Sequence, residues 1–136
     1  MLESNSSNHP IAEDSRDLVL AFYNEALVRR SPRTAFMRFM SPDFIEYKPD
    51  IEGGTRSQAA EFLEGLMENL PNVSWEVVRT VAEGNLVVLH ARFTPSPGAP
   101  AYAIADFFRV QHGLIVEHWD VVAGPPSDQR NPNSRF

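Results

Sequence analysis

Residues Ala105–Asp120 read ADFFRVQHGLIVEHWD, two apolar runs on either side of a glycine turn. Successive side chains of a β-strand point to opposite faces, so His118 and Asp120 share one face. If residues 111–113 form a short hairpin turn, the antiparallel ladder places Asp106 directly opposite His118, with Cβ atoms roughly 5 Å apart. The segment therefore predicts two paired strands that carry an Asp–His pair and a second aspartate on one face.

The remaining segments predict helices first and strands afterwards. Apolar residues recur at helical spacing at 14–30, after Ser31-Pro32, and behind a capping box that begins at Thr55. One short extended segment lies between the second and third helices, at 44–48, and others follow the third helix at 74–81 and 86–93. The order predicts an α+β fold in which three N-terminal helices pack on a curved antiparallel sheet and form a cone with an internal pocket.

Length and composition limit the classes of protein that fit. A chain of 136 residues predicts one domain, at 14–123, with a flexible N-terminal tail at 1–13 and an extended C-terminal tail at 124–136. The net charge is −6 and the 12 Lys and Arg residues are scattered, which argues against nucleic-acid and membrane partners. Cysteine is absent, and the N-terminus lacks the pattern of a signal peptide. We expect a cytoplasmic protein.

The polar side chains on the Asp106 face suit proton-transfer chemistry. Removal of a proton beside a carbonyl needs a base near its working pKa, which His118 oriented by Asp106 can provide. Asp120 is a second base or a carboxyl kept protonated by apolar walls. The hydroxyls of Tyr23, Tyr47 and Tyr102 are candidate donors to an oxyanion. Asp106 and His118 can equally form a buried pair that only stabilises the fold.

Three further polar residues each allow two interpretations of their role. His90 and Arg92 fall on the strand face that we assign to the pocket, where His90 either contacts a ligand or caps backbone groups. Arg92 either clamps a carboxylate or enolate, or neutralises an aspartate. Lys48 is either a Schiff-base amine or a solvated strand-end lysine. His90, Asp106, His118 and Asp120 together resemble a metal-ligand set, but their spacings match no metal motif, so we predict no metal and no cofactor.

The order of elements and several motifs resemble one known family. The motifs are Asp106-Phe107-Phe108-Arg109-Val110, Gly113, the run Ile115–Asp120 and the ending Asn131–Phe136. Together they resemble SnoaL-like proteins of the nuclear transport factor 2-like superfamily, over roughly residues 14–136. SnoaL-like members include polyketide cyclases, and superfamily relatives include ketosteroid isomerase, scytalone dehydratase and limonene epoxide hydrolase.

The resemblance implies roles for individual residues. Asp106 matches the position where ketosteroid isomerase keeps a protonated acid beside a developing enolate. Tyr23 matches the helix-one tyrosine of the same oxyanion site. Tyr47 or Lys48 stands where the isomerase has its general base. SnoaL-like proteins generally read Gln-His-Asn-Pro where this chain has Glu46–Pro49.

These observations predict a cofactor-independent cyclase, isomerase or lyase that acts on a small, largely apolar carbonyl or polyketide-like compound. Its acid/base set is Asp106, His118, Asp120 and Tyr47. The predicted pocket walls are apolar and largely aromatic: Phe22, Phe36, Phe39, Phe62, Leu66 and Phe108. A non-catalytic binding or dimerisation module is the alternative, and epoxide hydrolysis, with Arg92 between two acids, is a third option. The family resemblance and the outward direction of Trp119 predict a homodimer through the convex sheet face.

Overall fold

The protein is an α+β fold with helices on one face of a five-stranded sheet, as the sequence predicts. The computed structural model describes the backbone of residues 2–136 and the side chains of residues 11–136. The helices are α1 (Leu2–Tyr23), α2 (Pro32–Phe39) and α3 (Arg56–Asn69), with a π-helical turn at Asn24–Val28. The strands are β1 (Met40–Glu46), β2 (Ser74–Glu83), β3 (Leu86–Thr94), β4 (Tyr102–Gln111) and β5 (Leu114–Ala123).

Local signals account for the helix boundaries. The predicted N-cap of α3 is present, since the Thr55 hydroxyl accepts a hydrogen bond from the Gln58 backbone N–H at 3.3 Å. Pro32 occupies the first turn of α2, where its missing N–H costs nothing. The first helix begins at Leu2, within the stretch for which we predict a tail, rather than at Asp14. Its π-helical turn directly follows Tyr23, and such turns are frequent at functional sites.

The sheet order is β1-β5-β4-β3-β2. Its antiparallel meander, β2 to β5, agrees with the prediction. β1, however, pairs with β5 in parallel, so the sheet is mixed rather than wholly antiparallel. The parallel pairing brings the end of β1 beside the middle of β5, with Glu46 as the ladder partner of His118.

The β4–β5 hairpin differs from its predicted register by two residues. Its turn has only His112 and Gly113 between the paired residues, and both have positive φ (52° and 75°), as a type I′ turn requires. A bulge beside Arg109 then shifts the register once more, so that Asp106 lies opposite Asp120. The two one-residue shifts add to an even number, so Asp106, His118 and Asp120 still share a face.

The C-terminal tail lies on the outer face of the sheet, which is the face turned away from the helices. The Arg135 guanidinium donates to the backbone oxygens of Ala101 (2.7 Å) and Gly124 (3.0 Å). The Phe136 ring contacts Arg92 and His90, with the Arg92 guanidinium 4.3 Å from its centre. Within the described residues, no helix has the length and apolar character needed to span a membrane.

Candidate functional site

His118 lies between two carboxylates that come from different strands. Its Nδ1 is 2.6 Å from Oε2 of Glu46 on β1, and its Nε2 is 2.8 Å from Oδ1 of Asp106 on β4. All three side chains are nearly buried, with 12% of His118, 4% of Glu46 and 11% of Asp106 exposed. A carboxylate can only accept at these distances, so the geometry favours an imidazole that donates from both nitrogens.

The two acids determine the charge of the ring. Burial alone lowers the pKa of His118, but the hydrogen bonds to Asp106 and Glu46, and their negative charges, raise it to about 10. His118 is therefore an imidazolium at neutral pH. This corrects the prediction that His118 is the base, because a ring that is already protonated on both nitrogens cannot take another proton.

Lys48 and Asp120 form a second ion pair beside the first. Lys48 Nζ is 3.2 Å from Asp120 Oδ2 and 3.6 Å from Asp50 Oδ1. Partial burial lowers the pKa of Lys48, but the charges of Asp120 and Asp50 and the hydrogen bonds to them together outweigh it, so the net shift is upward. An imine-forming lysine needs a neutral amine, so the geometry contradicts the Schiff-base reading of Lys48.

Tyr23 contributes an unpartnered hydroxyl to the same region. The residue is only 4% exposed, and its hydroxyl has no hydrogen-bond partner among the described residues. Burial, and then the negative charge of Asp106, raise the pKa of this phenol above its usual value, so it remains an O–H donor. Because a buried polar group without a partner is unfavourable, the hydroxyl is poised to bond a ligand oxygen.

We expect Tyr23→Phe to stabilise the protein by roughly 1 kcal/mol, because it removes a buried hydroxyl that lacks a partner. Urea denaturation measures the change. Tyr102→Phe makes the same chemical change at a half-buried position and is the matched control, with an expected effect within about 0.5 kcal/mol. A clear destabilisation by Tyr23→Phe would show that the hydroxyl has a partner.

These polar groups open into a cavity of about 540 Å³ between the sheet and the helices. Its volume is in the range of small-molecule sites. Glu46, Lys48, Asp106, His118 and Asp120 line one part of the wall, and the remainder is largely apolar and aromatic. Of the predicted wall residues, Phe22, Phe36, Phe62, Leu66 and Phe108 line it, and so do two of the predicted oxyanion donors, Tyr23 and Tyr102.

Four predicted site residues lie elsewhere. Tyr47 is on the outer face, where its ring stacks on Trp119 at 4.9 Å and its hydroxyl donates to Glu117 at 2.9 Å. It cannot serve as a catalytic hydroxyl in the cavity, because β1 alternates and Glu46 takes the inward position. Phe39 is buried in the core, edge-on to Phe22, rather than on the cavity wall.

His90 and Arg92 are also on the outer face, contrary to the prediction. His90 contacts Arg79, and Arg92 pairs with Glu76 at 2.5 Å. The inward positions of β3 belong instead to Val87, Leu89 and Ala91, which are fully buried, because the apolar set of an alternating strand faces the core. Among the described residues, the cavity wall holds no arginine of the kind predicted for epoxide hydrolysis.

Glu46 is the site residue that the sequence reasoning missed. A local signal was present: Glu46 lies two residues after the apolar Phe44, so the strand period gives both side chains the same direction, and the structure buries both on β1. What hid its role was the distance along the chain. Glu46 and His118 are 72 residues apart, and only the parallel β1–β5 pairing brings them together.

Asp106, His118 and Asp120 also satisfy the distance requirement for a metal site, with one donor atom from each lying within 4.8 Å of the others. The hydrogen bonding is unfavourable for a metal, because both His118 nitrogens face carboxylates and an imidazolium has no lone pair to donate. The Lys48 ammonium is already on Asp120. That the protein works without a metal stays a prediction.

Comparisons with known proteins agree with this architecture. A candidate SnoaL-like polyketide cyclase from Jannaschia sp. CCS1 is 23% identical, with a TM-score of 0.66 over 83% of this chain and 88% of that one. AclR, a candidate hydroxylase from Streptomyces galilaeus, is 23% identical, with a TM-score of 0.67 over 82% and 79%. An NTF2-like protein of unknown function from Cytophaga hutchinsonii is 18% identical, with a TM-score of 0.65 over 80% and 89%.

At such identities the solved structures share the fold with this chain, and a shared fold does not imply a shared function. No curated protein sequence matches the chain. The family described as the SnoaL-like domain matches residues 19–118, which run from near the end of α1 to His118 itself. The chain therefore belongs to the SnoaL-like domain family of the nuclear transport factor 2-like superfamily.

Proposed function

We propose that this protein is a cofactor-independent acid/base enzyme that acts on a small, largely apolar carbonyl compound. Its reaction is a cyclisation, an isomerisation or the elimination of water. One observation carries the proposal: a carboxylate held by a buried imidazolium opens into an apolar cavity that also contains an unpartnered tyrosine hydroxyl. Enolate chemistry needs a base, a hydrogen-bond donor to the oxyanion and apolar surroundings that exclude water.

Asp106 is the base in this proposal. Its Oδ1 accepts from His118, and its Oδ2 has no hydrogen-bond partner among the described residues. Oδ2 would take the proton from the carbon next to the carbonyl, and the electron pair would move onto the carbonyl oxygen. The Tyr23 O–H would donate to that enolate oxygen. Asp106 would then return its proton, which leaves the enzyme unchanged. In isomerisation the acceptor is another carbon of the enolate system, and in loss of water it is the departing hydroxyl oxygen. In cyclisation the enolate carbon adds to a second carbonyl of the compound, and the alkoxide oxygen formed there takes the proton.

Asp120 and Lys48 would assist at the polar end of the same cavity. Both residues line the cavity, so the Lys48 ammonium can donate to a second oxygen of a bound compound. The neighbouring aromatic walls, which include Phe22 and Phe108, favour a ligand with a flat apolar body. The ligand class is thus an apolar compound with two oxygen functions near one end.

A panel of β-keto and enone compounds tests the proposal. Turnover is followed by ultraviolet absorbance and chromatography, and binding by the rise in thermal midpoint. Turnover by the wild-type protein supports the enzyme. Binding of several compounds without any turnover contradicts it and supports a non-catalytic binding module, whereas neither binding nor turnover contradicts the ligand class.

We also propose that a second copy covers the outer face of the sheet. An apolar row crosses four strands there, Val81, Val88, Phe107 and Trp119, and Val81 and Val121 are 63% and 64% exposed. Exposed apolar residues that cluster on one face are typical of an interface.

Light scattering of the wild-type protein should therefore give the mass of a dimer, and Val81→Glu with Val121→Glu should give a monomer, because each buries a charge in the interface. Met37→Glu is the matched control. Met37 is an equally exposed apolar residue (62%), but it lies on α2, so its variant should remain a dimer. A wild-type monomer at high concentration contradicts this interface.

A further inference from the structure

Two ionisable groups of β5 face the cavity, His118 and Asp120. Each has a partner from the end of β1 or the residues just after it, and His118 has Asp106 as a further partner. Glu46 meets His118, and two residues later Lys48 meets Asp120, also two residues further along. The strands are parallel and paired at Glu46 and His118, and the ladder continues as the Tyr47 N–H donates to the His118 oxygen at 2.9 Å. The Glu46 carboxylate thus faces the His118 imidazolium, and the Lys48 ammonium faces the Asp120 carboxylate.

Glu46 is held in place from two sides. Its Oε2 accepts from His118 Nδ1 at 2.6 Å and from the Lys48 backbone N–H at 3.0 Å. The carboxylate therefore cannot turn away from the ring without leaving a backbone donor unpaired in a part-buried position. This makes the Glu46 contact a fixed feature of the strand end rather than one rotamer among several.

We propose that Glu46 is a positioning residue: it holds the His118 ring in one orientation as a donor from both nitrogens, so that Asp106, and not His118, is the group presented to the ligand. Without Glu46, one nitrogen is free, and the ring can exchange tautomers or flip. The role of Asp106 as the base rests on the proposed function above, but the ionisation state of the ring does not.

The groups that face His118 come from several elements. Glu46 approaches from β1 and Asp106 from β4, and Asp120 lies within the same cluster on β5. Tyr23 on α1 contributes a neutral hydroxyl near Asp106, and the Lys48 ammonium is paired with Asp120. Of these, only Glu46 and Asp106 make hydrogen bonds to the ring. Neutralising Glu46 therefore removes one of the two hydrogen-bonded negative charges that favour the doubly protonated ring.

Nitrogen-15 NMR of histidine-labelled protein tests the proposal without a substrate. In the wild type, both His118 nitrogens should remain protonated from pH 7 to pH 9. In Glu46→Gln, the midpoint of the His118 titration should move down by about one to three pH units. Glu117→Gln is the matched control, because Glu117 is next in sequence to His118 but bonds Tyr47 and Arg109 on the outer face; its His118 titration should be unchanged.

A His118 titration that is the same in Glu46→Gln and in the wild type overturns the proposal. One unprotonated His118 nitrogen in the wild type at pH 8 also contradicts it. If Glu46→Gln does not fold, Glu46→Asp decides: its shorter side chain draws the carboxylate away from Nδ1, so the His118 midpoint should still move down, and an unchanged midpoint overturns the proposal. Once a substrate is identified, Glu46→Gln should lower kcat about tenfold or more, with KM little changed. Glu46→Asp should recover part of that loss in kcat. Turnover that fails in the wild type contradicts the proposed function and leaves the NMR result standing.

Discussion

Asp106→Asn should lower kcat by about 10²- to 10⁴-fold on any compound that the wild-type protein turns over, because an amide cannot take the proton. The fold should survive. The amide oxygen of the substituted side chain can still accept from His118 Nε2 at the position of the 2.8 Å hydrogen bond, and Glu46 still neutralises the imidazolium. Steady-state kinetics measures the fall, with circular dichroism as the check of folding.

Glu76→Gln is the matched control for that experiment. It neutralises one carboxylate on the same sheet, but Glu76 is exposed on the outer face and paired with Arg92, so kcat should be unchanged. Ligand binding should persist in Asp106→Asn, since the apolar walls of the cavity are intact. If Asp106→Asn retains more than about a tenth of wild-type kcat, Asp106 is not the base.

The free energy of unfolding should fall steeply as the pH rises above neutrality. The pKa of His118 is about 10 in the folded protein and 6.5 for a free histidine, so the folded state holds one more proton between these values. The raised pKa of His118 stabilises the folded protein fully below pH 6.5, and this stabilisation is lost as the pH rises towards 10. The expected slope is up to about 1.4 kcal/mol per pH unit. Urea denaturation at about pH 7, 8 and 9.5, values that span this window, measures it.

Two histidine variants isolate the contribution of His118. His118→Gln should abolish most of the slope across that pH window. His112→Asn should retain it, because His112 is an exposed turn residue whose positive φ of 52° suits asparagine. The pKa values of Tyr23 and Lys48 are raised from ordinary values of 10.0 and 10.5, so neither group titrates in this range. A flat wild-type profile contradicts the buried imidazolium.

The sequence sufficed to predict the elements whose signals are local. Helix α3 follows from its capping box and apolar spacing, and its Thr55 cap is as predicted. The common face of Asp106, His118 and Asp120 follows from the two-residue strand period. That face was predicted from a wrong register, and it survived because the shorter turn and the bulge shift the register by an even number of residues.

The prediction of which strand face points inward was wrong for β3, where it rested on the alternation of side chains alone. On β3, the period separates His90 and Arg92 from Val87, Leu89 and Ala91, but it does not say which set faces the helices. The prediction placed the polar set inside, whereas the packing places the apolar set there, because burial of apolar surface outweighs the placement of two polar groups.

By itself, the sequence determined the α+β class, the helix boundaries near their caps, and the sharing of a face by residues on one strand or hairpin, since these depend on contacts between near neighbours. Only the tertiary structure decided the charge of the site. The partners of His118 and Asp120 are Glu46 and Lys48, each 72 residues away, and they arrive through a parallel pairing that no turn specifies. Because proton affinity depends on such neighbours, the change of His118 from base to imidazolium could not be predicted from the chain alone.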